Sequence, residues 1–353
     1  MGGRQRSAPV RCPARMTRTQ ALTIPLALIL ALSPLAAPVA AQTIPTESGQ
    51  LEFIGLERWS PRALLDTLRA LAPGRPLHAC AVVLKDQLGF PDASVSYYED
   101  PGDTSLVVMV VEPEHRSRVQ YLPTPRDSAP LPVAWSVAAE VARNDRNAFI
   151  VAVQLSGAYR GDSLRAERAL DGVPFPVNRD AVWTVWRVPA AGESADQLRT
   201  IQLLRSAADP VVRMVALARI AEDASDDASW WAVVDALRDP DEVVNGVAIA
   251  ALRSMAQWSA RTVDWWPAAA SVRAVLGGTN LFAFRPLVEA LAVTSVAPSL
   301  AGPLLADNAS LLLQAAAAHH EGTRRSALRL LEQLGGGPRS VEQWRMWAEA
   351  LKR

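Results

Sequence analysis

DPVVRMVALARI, residues 209–220, and DPDEVVNGVAIAAL, residues 239–252, are two versions of one phrase. Aligning the Val-Val pairs at 211 and 243, which lie 32 residues apart, superposes Val212 on Val244, Val215 on Val247, Ala216 on Ala248 and Ile220 on Leu252. Those positions follow the i, i+3, i+4, i+8 spacing of one buried helical face. Each Asp-Pro pair is preceded by another helical stretch, Leu198 to Ser206 in the first copy and Trp230 to Leu237 in the second. The unit is therefore a helix, a turn broken by Pro, and a second helix with Ala where neighbours approach closely. Such a pair cannot bury its apolar face alone and does so by stacking on the next copy, so the pattern predicts an α-solenoid.

Toward the C-terminus the copies degenerate. Phe284, Leu287, Val288 and Leu291 make one amphipathic face, Ala309 to Ala318 a small-residue helix, and Ala327, Leu330, Leu331 and Leu334 a further face before Gly335-Gly336-Gly337. The last helix opens with the capping-box pair Ser340 and Gln343 and carries Val341, Trp344, Trp347, Ala348 and Leu351, as expected of a helix that covers an open solenoid end. The phrase at 209–220 resembles the second helix of a HEAT-like repeat, in which an Asp-Pro turn precedes Val-Arg and then Ala at buried positions. Arg213 holds that family's arginine position and Asn245 departs from it. The spacing is shorter than the roughly 40–47 residues usual for HEAT and armadillo units and suits a compact bacterial form. It also fits tetratricopeptide repeats, but their Trp-Leu-Gly-Tyr pattern is absent. The solenoid is assigned to residues 196–353.

Toward the N-terminus the period alternates. Leu51 to Leu56 reads as a strand. Ser60 and Pro61 open a helix bearing Leu64, Leu65, Leu68 and Leu71, which Pro73-Gly74 ends, and a second helix spans His78 to Leu88 before Gly89. Ser94 to Tyr98 and Leu106 to Val111, joined by Asp100-Pro101-Gly102-Asp103, read as a β-hairpin. This strand-helix-helix-strand-strand order, with LGFPDASVSYYED at 88–100 and LVVMVVEPEH at 106–115, resembles the POTRA domain, the small polypeptide-transport-associated module. In that family the last strand ends in the Val-Val-Glu-Pro that residues 110–113 reproduce. The resemblance implies a binding module, residues 50–120, whose sheet edge accepts a strand from another polypeptide. One unit without a following β-barrel does not imply an outer-membrane insertase. The overall fold class is α+β. Between the two regions, residues 121–195 begin with the Pro-rich connector YLPTPRDSAPLP. Val137, Ala138 and Val141 suit a helix there, whereas Phe149 to Leu155 fits either a buried strand or the middle of a helix.

Residues 1–41 carry Arg4, Arg6, Arg11, Arg15 and Arg18 without an acid, then an apolar run from Ala21 to Ala40, the pattern of a secretory signal peptide cleaved after Ala41. Met16 is an alternative start. Pro25, Pro34 and Pro38 argue against an uncleaved membrane-spanning helix, so membrane contact requires an uncleaved signal. The 353-residue chain balances 36 bases against 36 acids; removing five Arg leaves 31 against 36, an acidic mature chain that argues against a nucleic-acid partner. Cys80 then remains as a lone cysteine, expected in the core, and stability must come from packing rather than disulfides.

The chain lacks a Gly-rich phosphate loop, a Gly-x-Ser-x-Gly elbow, a His-Glu-x-x-His and a Cys-x-x-Cys. His319 and His320 point about 100° apart on a helix and read as a solvated helix end. Glu222, Asp223, Asp226 and Asp227 lack calcium-loop spacing and read as a solvated turn. No cofactor or metal ligand set is assigned. The interaction candidates are Trp230, Trp231, Trp265 and Trp266, where one member of each pair can face the core while its neighbour faces elsewhere, together with Arg213. The expectation is a non-enzymatic protein-protein interaction or scaffold protein, periplasmic or secreted, whose partner is another protein of the cell envelope. The alternative is a subunit of an envelope hydrolase or lyase with its site in 121–195.

Overall fold

In the computed structural model the described residues are 42–353, apart from 47–48, 101–102, 160, 188–193, 223 and 259–260. The signal peptide predicted at 1–41 lies outside them. The described chain is mostly helical with one small four-stranded mixed sheet, an α+β fold.

The sheet comprises β1 (Gln42–Thr46), β2 (Gly49–Ile54), β3 (Asp92–Asp100) and β4 (Asp103–Val111) in the order β1-β2-β4-β3. β2 runs parallel to β4, with Phe53 opposite Val108, while β1–β2 and β3–β4 are antiparallel. β1 was not expected. Its sequence contains Pro45, which offers no N–H to a ladder and is accommodated because this strand lies at an edge. Between β2 and β3 lie α1 (Pro61–Leu71) and α2 (Cys80–Asp86). Ser60 accepts from Ala63 N as the N-cap of α1, and Leu64, Leu65 and Leu68 are buried, but Leu71 is exposed in the last turn. The second helix begins as a 3-10 turn, Leu77–Ala79, and stops two residues short of expectation, with Gly89 left-handed beyond it.

Both faces of the sheet are covered. Leu51, Phe53, Ala93, Val108 and Val110 pack against α1 and α2, and the alternate positions Ile54, Val107, Met109 and Val111 join the core of the helical half. The period of two thus divides β4 between two hydrophobic clusters.

The ambiguous middle is helical: α3 (Ser136–Asn144), α4 (Arg146–Ala158), α5 (Ser163–Asp171) and α6 (Arg179–Trp186). Phe149 to Leu155 lies inside α4, which Asp145 caps by accepting from Ala148 N. Ala148, Phe149, Val151, Ala152, Val153 and Leu155 are all buried, so this helix is apolar nearly all round and carries no 3.6-residue signature.

The repeat phrases form α7 (Ser194–Ser206), α8 (Pro210–Glu222), α9 (Asp227–Ala236) and α10 (Glu242–Trp258). They are followed by α11 (Ala269–Leu276), α12 (Leu281–Thr294), α13 (Ala301–Leu305), α14 (Ala309–Ala316), α15 (Glu321–Gly335) and α16 (Val341–Ala350). Every superposed position of the two phrases, Val212, Val215, Ala216 and Ile220 with Val244, Val247, Ala248 and Leu252, is buried. One row of helices packs α7 on α9, α9 on α11 and α11 on α13, and a second packs α8 on α10, α10 on α12 and α12 on α15. The capping box of Ser340 and Gln343 forms at the start of α16, whose Trp344 is fully buried edge-on to Trp347, with ring centroids 5.3 Å apart.

The N-terminal half lies against the second row. α4 packs on α8 and α10, α3 on α8, β3 on α12 and β2 on α14. The Pro-rich connector is stitched to three successive helix-pair turns. Gln120 N donates to Thr279 Oγ1 at 2.8 Å, Leu122 N to Arg238 O at 2.8 Å, and Asp127 exchanges backbone bonds with Ser206 and Ala208. An extended, proline-bearing segment suits this path because its unpaired backbone groups find partners on the turns it crosses.

Candidate functional site

Of the five residues proposed from sequence for interaction, three are internal. Arg213 is buried at the start of α8, where Nε and Nη2 donate to the two carboxylate oxygens of Asp239 at 2.8 and 3.0 Å and Nη1 donates to Ala207 O and Ala208 O. It joins one helix pair to the next, and a side chain so enclosed cannot meet a partner. Trp230 and Trp265 are also buried, their ring centroids 6.1 Å apart and edge-on, with Trp265 Nε1 donating to Thr294 Oγ1. Their neighbours turn outward. Trp231 is half-buried with Nε1 donating to Asp264 O, and Trp266 is 51% exposed. Adjacent helical residues differ by about 100° in direction, which accounts for the split between Trp230 and Trp231.

The histidine pair divides: His319 is exposed just before α15, as expected, and His320 is not. His320 is buried, stacks on Tyr98 at 3.9 Å and caps α15, while both His319 N and His320 N donate to Glu52 of β2. The acidic stretch departs from expectation too. Glu222 is buried against Arg219, Asp226 accepts from Ser229 N as the cap of α9, and Asp227 pairs with Arg261; Asp223 lies outside the described residues. These carboxylates close turns. No group of three or more metal-ligating side chains occurs among the described residues, and no described helix is long and apolar enough to cross a membrane. Cys80 is buried on α2, and that burial pushes its thiol up to about 11, so it stays protonated at neutral pH. Thiol reagent applied to the folded protein should leave Cys80 unmodified and label it once the chain unfolds.

The chain's own N-terminal half occupies much of the second row of helices. Between the sheet and α4 there remains an open cleft of about 450 Å³. Tyr98 of β3, Gln154 of α4, Arg253, Ala256 and Gln257 of α10, and Arg285, Pro286, Glu289 and Val293 of α12 line it. Arg253 and Gln257, and likewise Arg285 and Glu289, are four residues apart on their helices and share a face. Arg285 Nε donates to Glu289 Oε1 at 2.6 Å, and its guanidinium carbon stands 4.9 Å from the Tyr98 ring centre. Burial disfavours the Arg285 charge, but Tyr98 and Glu289 outweigh it and raise its pKa above the ordinary value. Arg253 reaches solvent in the cleft and has no hydrogen-bond or ion-pair partner among the described residues. Desolvation by the surrounding protein chiefly lowers its pKa, Glu289 and Tyr98 partly offset that, and Arg285 adds to the lowering by repulsion.

The sequence contained a weak signal for this site: two polar i, i+4 pairs set into mostly apolar helices. Repeat alignment passes over them because they do not recur, and only folding brings Tyr98 and Gln154 beside them. Residues 121–195 supply Gln154 to this cleft and Leu122, Pro123 and Pro125 to a smaller groove of about 280 Å³. The described part of that segment therefore brings no ionisable side chain to either opening. Set against known protein families, curated proteins and solved structures, the chain matches none.

Proposed function

We propose that this chain is an exported, non-enzymatic interaction or scaffold protein of the cell envelope, periplasmic or secreted, that binds another protein. In this reading a POTRA-like module and a bridging helical segment dock onto a HEAT-like α-solenoid, and the partner enters through the gap they leave. The βααββ order after β1 and the parallel β2–β4 pair support the POTRA-like part. The serial packing of α8, α10 and α12, with Arg213 reaching the Asp of the following Asp-Pro turn, supports the HEAT-like part. β1 is an addition to the pattern.

The observation that carries the function is the cleft over α10 and α12, where an uncovered stretch of repeat surface presents an unpartnered arginine. Phe282 is half-exposed on the same side of α12, one turn before Pro286 and two before Glu289, and extends an apolar rim. Nucleic acid is not the partner in this reading, given the acidic balance of the mature chain.

In-cell photo-crosslinking tests it. A crosslinker at Gln257 or Phe282 should give one discrete, saturable protein adduct, and a crosslinker at the exposed Leu198 of α7 should not. Equal adduct patterns at all three positions would sink the reading. Export is tested separately by sequencing the mature N-terminus, which should begin at Gln42.

A further inference from the structure

We propose that the cleft between β3, α4, α10 and α12 captures the C-terminal carboxylate of a polypeptide ending in an aliphatic residue, with Arg253 holding the carboxylate. The inference rests on the interaction reading above and names the chemistry of the partner.

Charge comes first. The lining carries two guanidinium groups and one carboxylate; Glu289 bonds to Arg285 and attracts Arg253 only from a distance, so the lining keeps one net positive charge. A single net charge suits a monoanion such as a carboxylate better than a phosphate dianion, which would face Glu289 with a negative charge to spare. Arg253 is free to offer its planar fork of N–H donors, the geometry that matches a carboxylate through two parallel bonds.

The remaining lining narrows the ligand further. The side-chain amides of Gln154 and Gln257 flank the arginine without hydrogen-bond partners among the described residues, and each offers both donors and an acceptor, as a peptide bond requires. Ala256, Pro286 and Val293 supply an apolar floor. Carboxylate, amide and aliphatic side chain occur together at the end of a polypeptide. An internal Asp or Glu has the carboxylate on a flexible stem away from the backbone, and would not engage all three features at once. The volume, about 450 Å³, lies within the range of roughly 300–1,000 Å³ typical of small-ligand sites and admits two or three residues.

The probes are N-acetyl-alanyl-valine, N-acetyl-alanyl-leucine and N-acetyl-alanyl-phenylalanine with free carboxylates, the corresponding C-terminal amides, N-acetyl-aspartate amide and inorganic phosphate. They are titrated into the full mature chain while NMR follows Arg253 Nε–H and the side-chain amides of Gln154 and Gln257. At least one free acid should give saturable shifts at all three groups, with its amide and the aspartate probe binding at least about tenfold more weakly. Arg253→Gln should cause a similar loss without changing the unfolding midpoint, since the side chain has no internal partner to lose. If that variant proves less stable, Gln257→Trp, which fills the cleft from an exposed position, should block binding instead. Equal binding of acid and amide, tighter binding of phosphate, unchanged affinity in both variants, or no saturable shift by about 20 mM probe would each overturn the proposal. Carboxylate binding without a protein crosslink would uphold this site and remove the protein-partner reading; a crosslink without carboxylate binding would do the reverse.

Discussion

Asp239 and Glu112 are both buried carboxylates at the ends of secondary structure, one in the turn between α9 and α10 and the other just after β4, yet they are satisfied in opposite ways. Asp239 faces a guanidinium, accepting two bonds from Arg213 of the preceding helix pair and a third from Asp241 N. Glu112 has no ionic partner among its hydrogen bonds; it accepts from the backbone N–H groups of Glu57, Arg58 and Trp59 at 2.9–3.1 Å and fastens the loop between β2 and α1 to the end of the last strand. One junction of the helical half, between the α7–α8 and α9–α10 pairs, is thus closed by a side-chain pair, and the sheet half closes its loop by a side chain on backbone. The Glu of the Val-Val-Glu-Pro phrase thereby gains a structural role within the chain itself.

The largest effect should come from breaking the first arrangement. Arg213→Ala strands Asp239 without its cation and should cost about 3–5 kcal/mol in denaturant unfolding. The double change Arg213→Met with Asp239→Leu should recover most of that loss, because removing both charges leaves neither buried alone. Recovery would confirm that the pair serves as a joint between helices whose apolar packing holds without it. Glu112→Ala comes next, at about 2–3 kcal/mol, since it deprives three backbone donors of their acceptor. Glu112→Gln should lose about 1 kcal/mol, as one accepting oxygen survives. Hydrogen exchange at Glu57, Arg58 and Trp59 should accelerate in both variants, and unchanged exchange there would show that the loop is held by something else.

Where the two regions meet, Gly278 has φ +119, and a Cβ on it would stand 2.3 Å from Val111 Cγ2. Gly278→Ala should cost about 1–3 kcal/mol through strain and overpacking, read as a lowered midpoint. It should leave the Arg213–Asp239 joint intact, so its effect should add to that of Arg213→Ala.

The smallest effect is one of pH. Burial alone would raise the Glu57 carboxyl, but bonds and charges from Arg118 and His115 together hold its pKa below the usual 4.5. A depressed native pKa contributes stability that is present above the unfolded value and lost as pH falls through the native one. Glu57→Gln should therefore flatten the stability profile below about pH 4.5, by no more than about 0.5 kcal/mol because the group is partly solvated. A profile unchanged in that window would exclude Glu57 as an acid-sensitive element.

The legibility of these features follows from their geometry. The repeat phrases were readable because one helical face is buried in each, so Val212 and Val244 recur at a fixed register. The hairpin was readable because alternating segments flank the Asp-Pro-Gly phrase that separates β3 from β4. α4 was not, since a helix buried on nearly all sides looks like any apolar run. β1 was missed for a related reason: a short strand containing proline is defined by the edge it joins. The surface role assigned to Arg213 fails because arginine carries no sequence mark of its partner, and Asp239 lies in the next unit.

By itself, the sequence determined the α+β class, the helix pairs, the hairpin and the caps at Ser60 and Ser340, all of which depend on residues within a few positions of one another. Only the tertiary structure decided that the sheet is buried on both faces, that Glu52 reaches the backbone of His319 and His320, and that the connector runs along three helix-pair turns. It also decided where α10 and α12 stay uncovered. Local propensity and periodicity are short-range and survive in a string of letters, whereas the cleft around Arg253 exists because segments about 100 residues apart, Gln154 and Arg253 among them, are brought side by side by burial of apolar surface that no single stretch specifies.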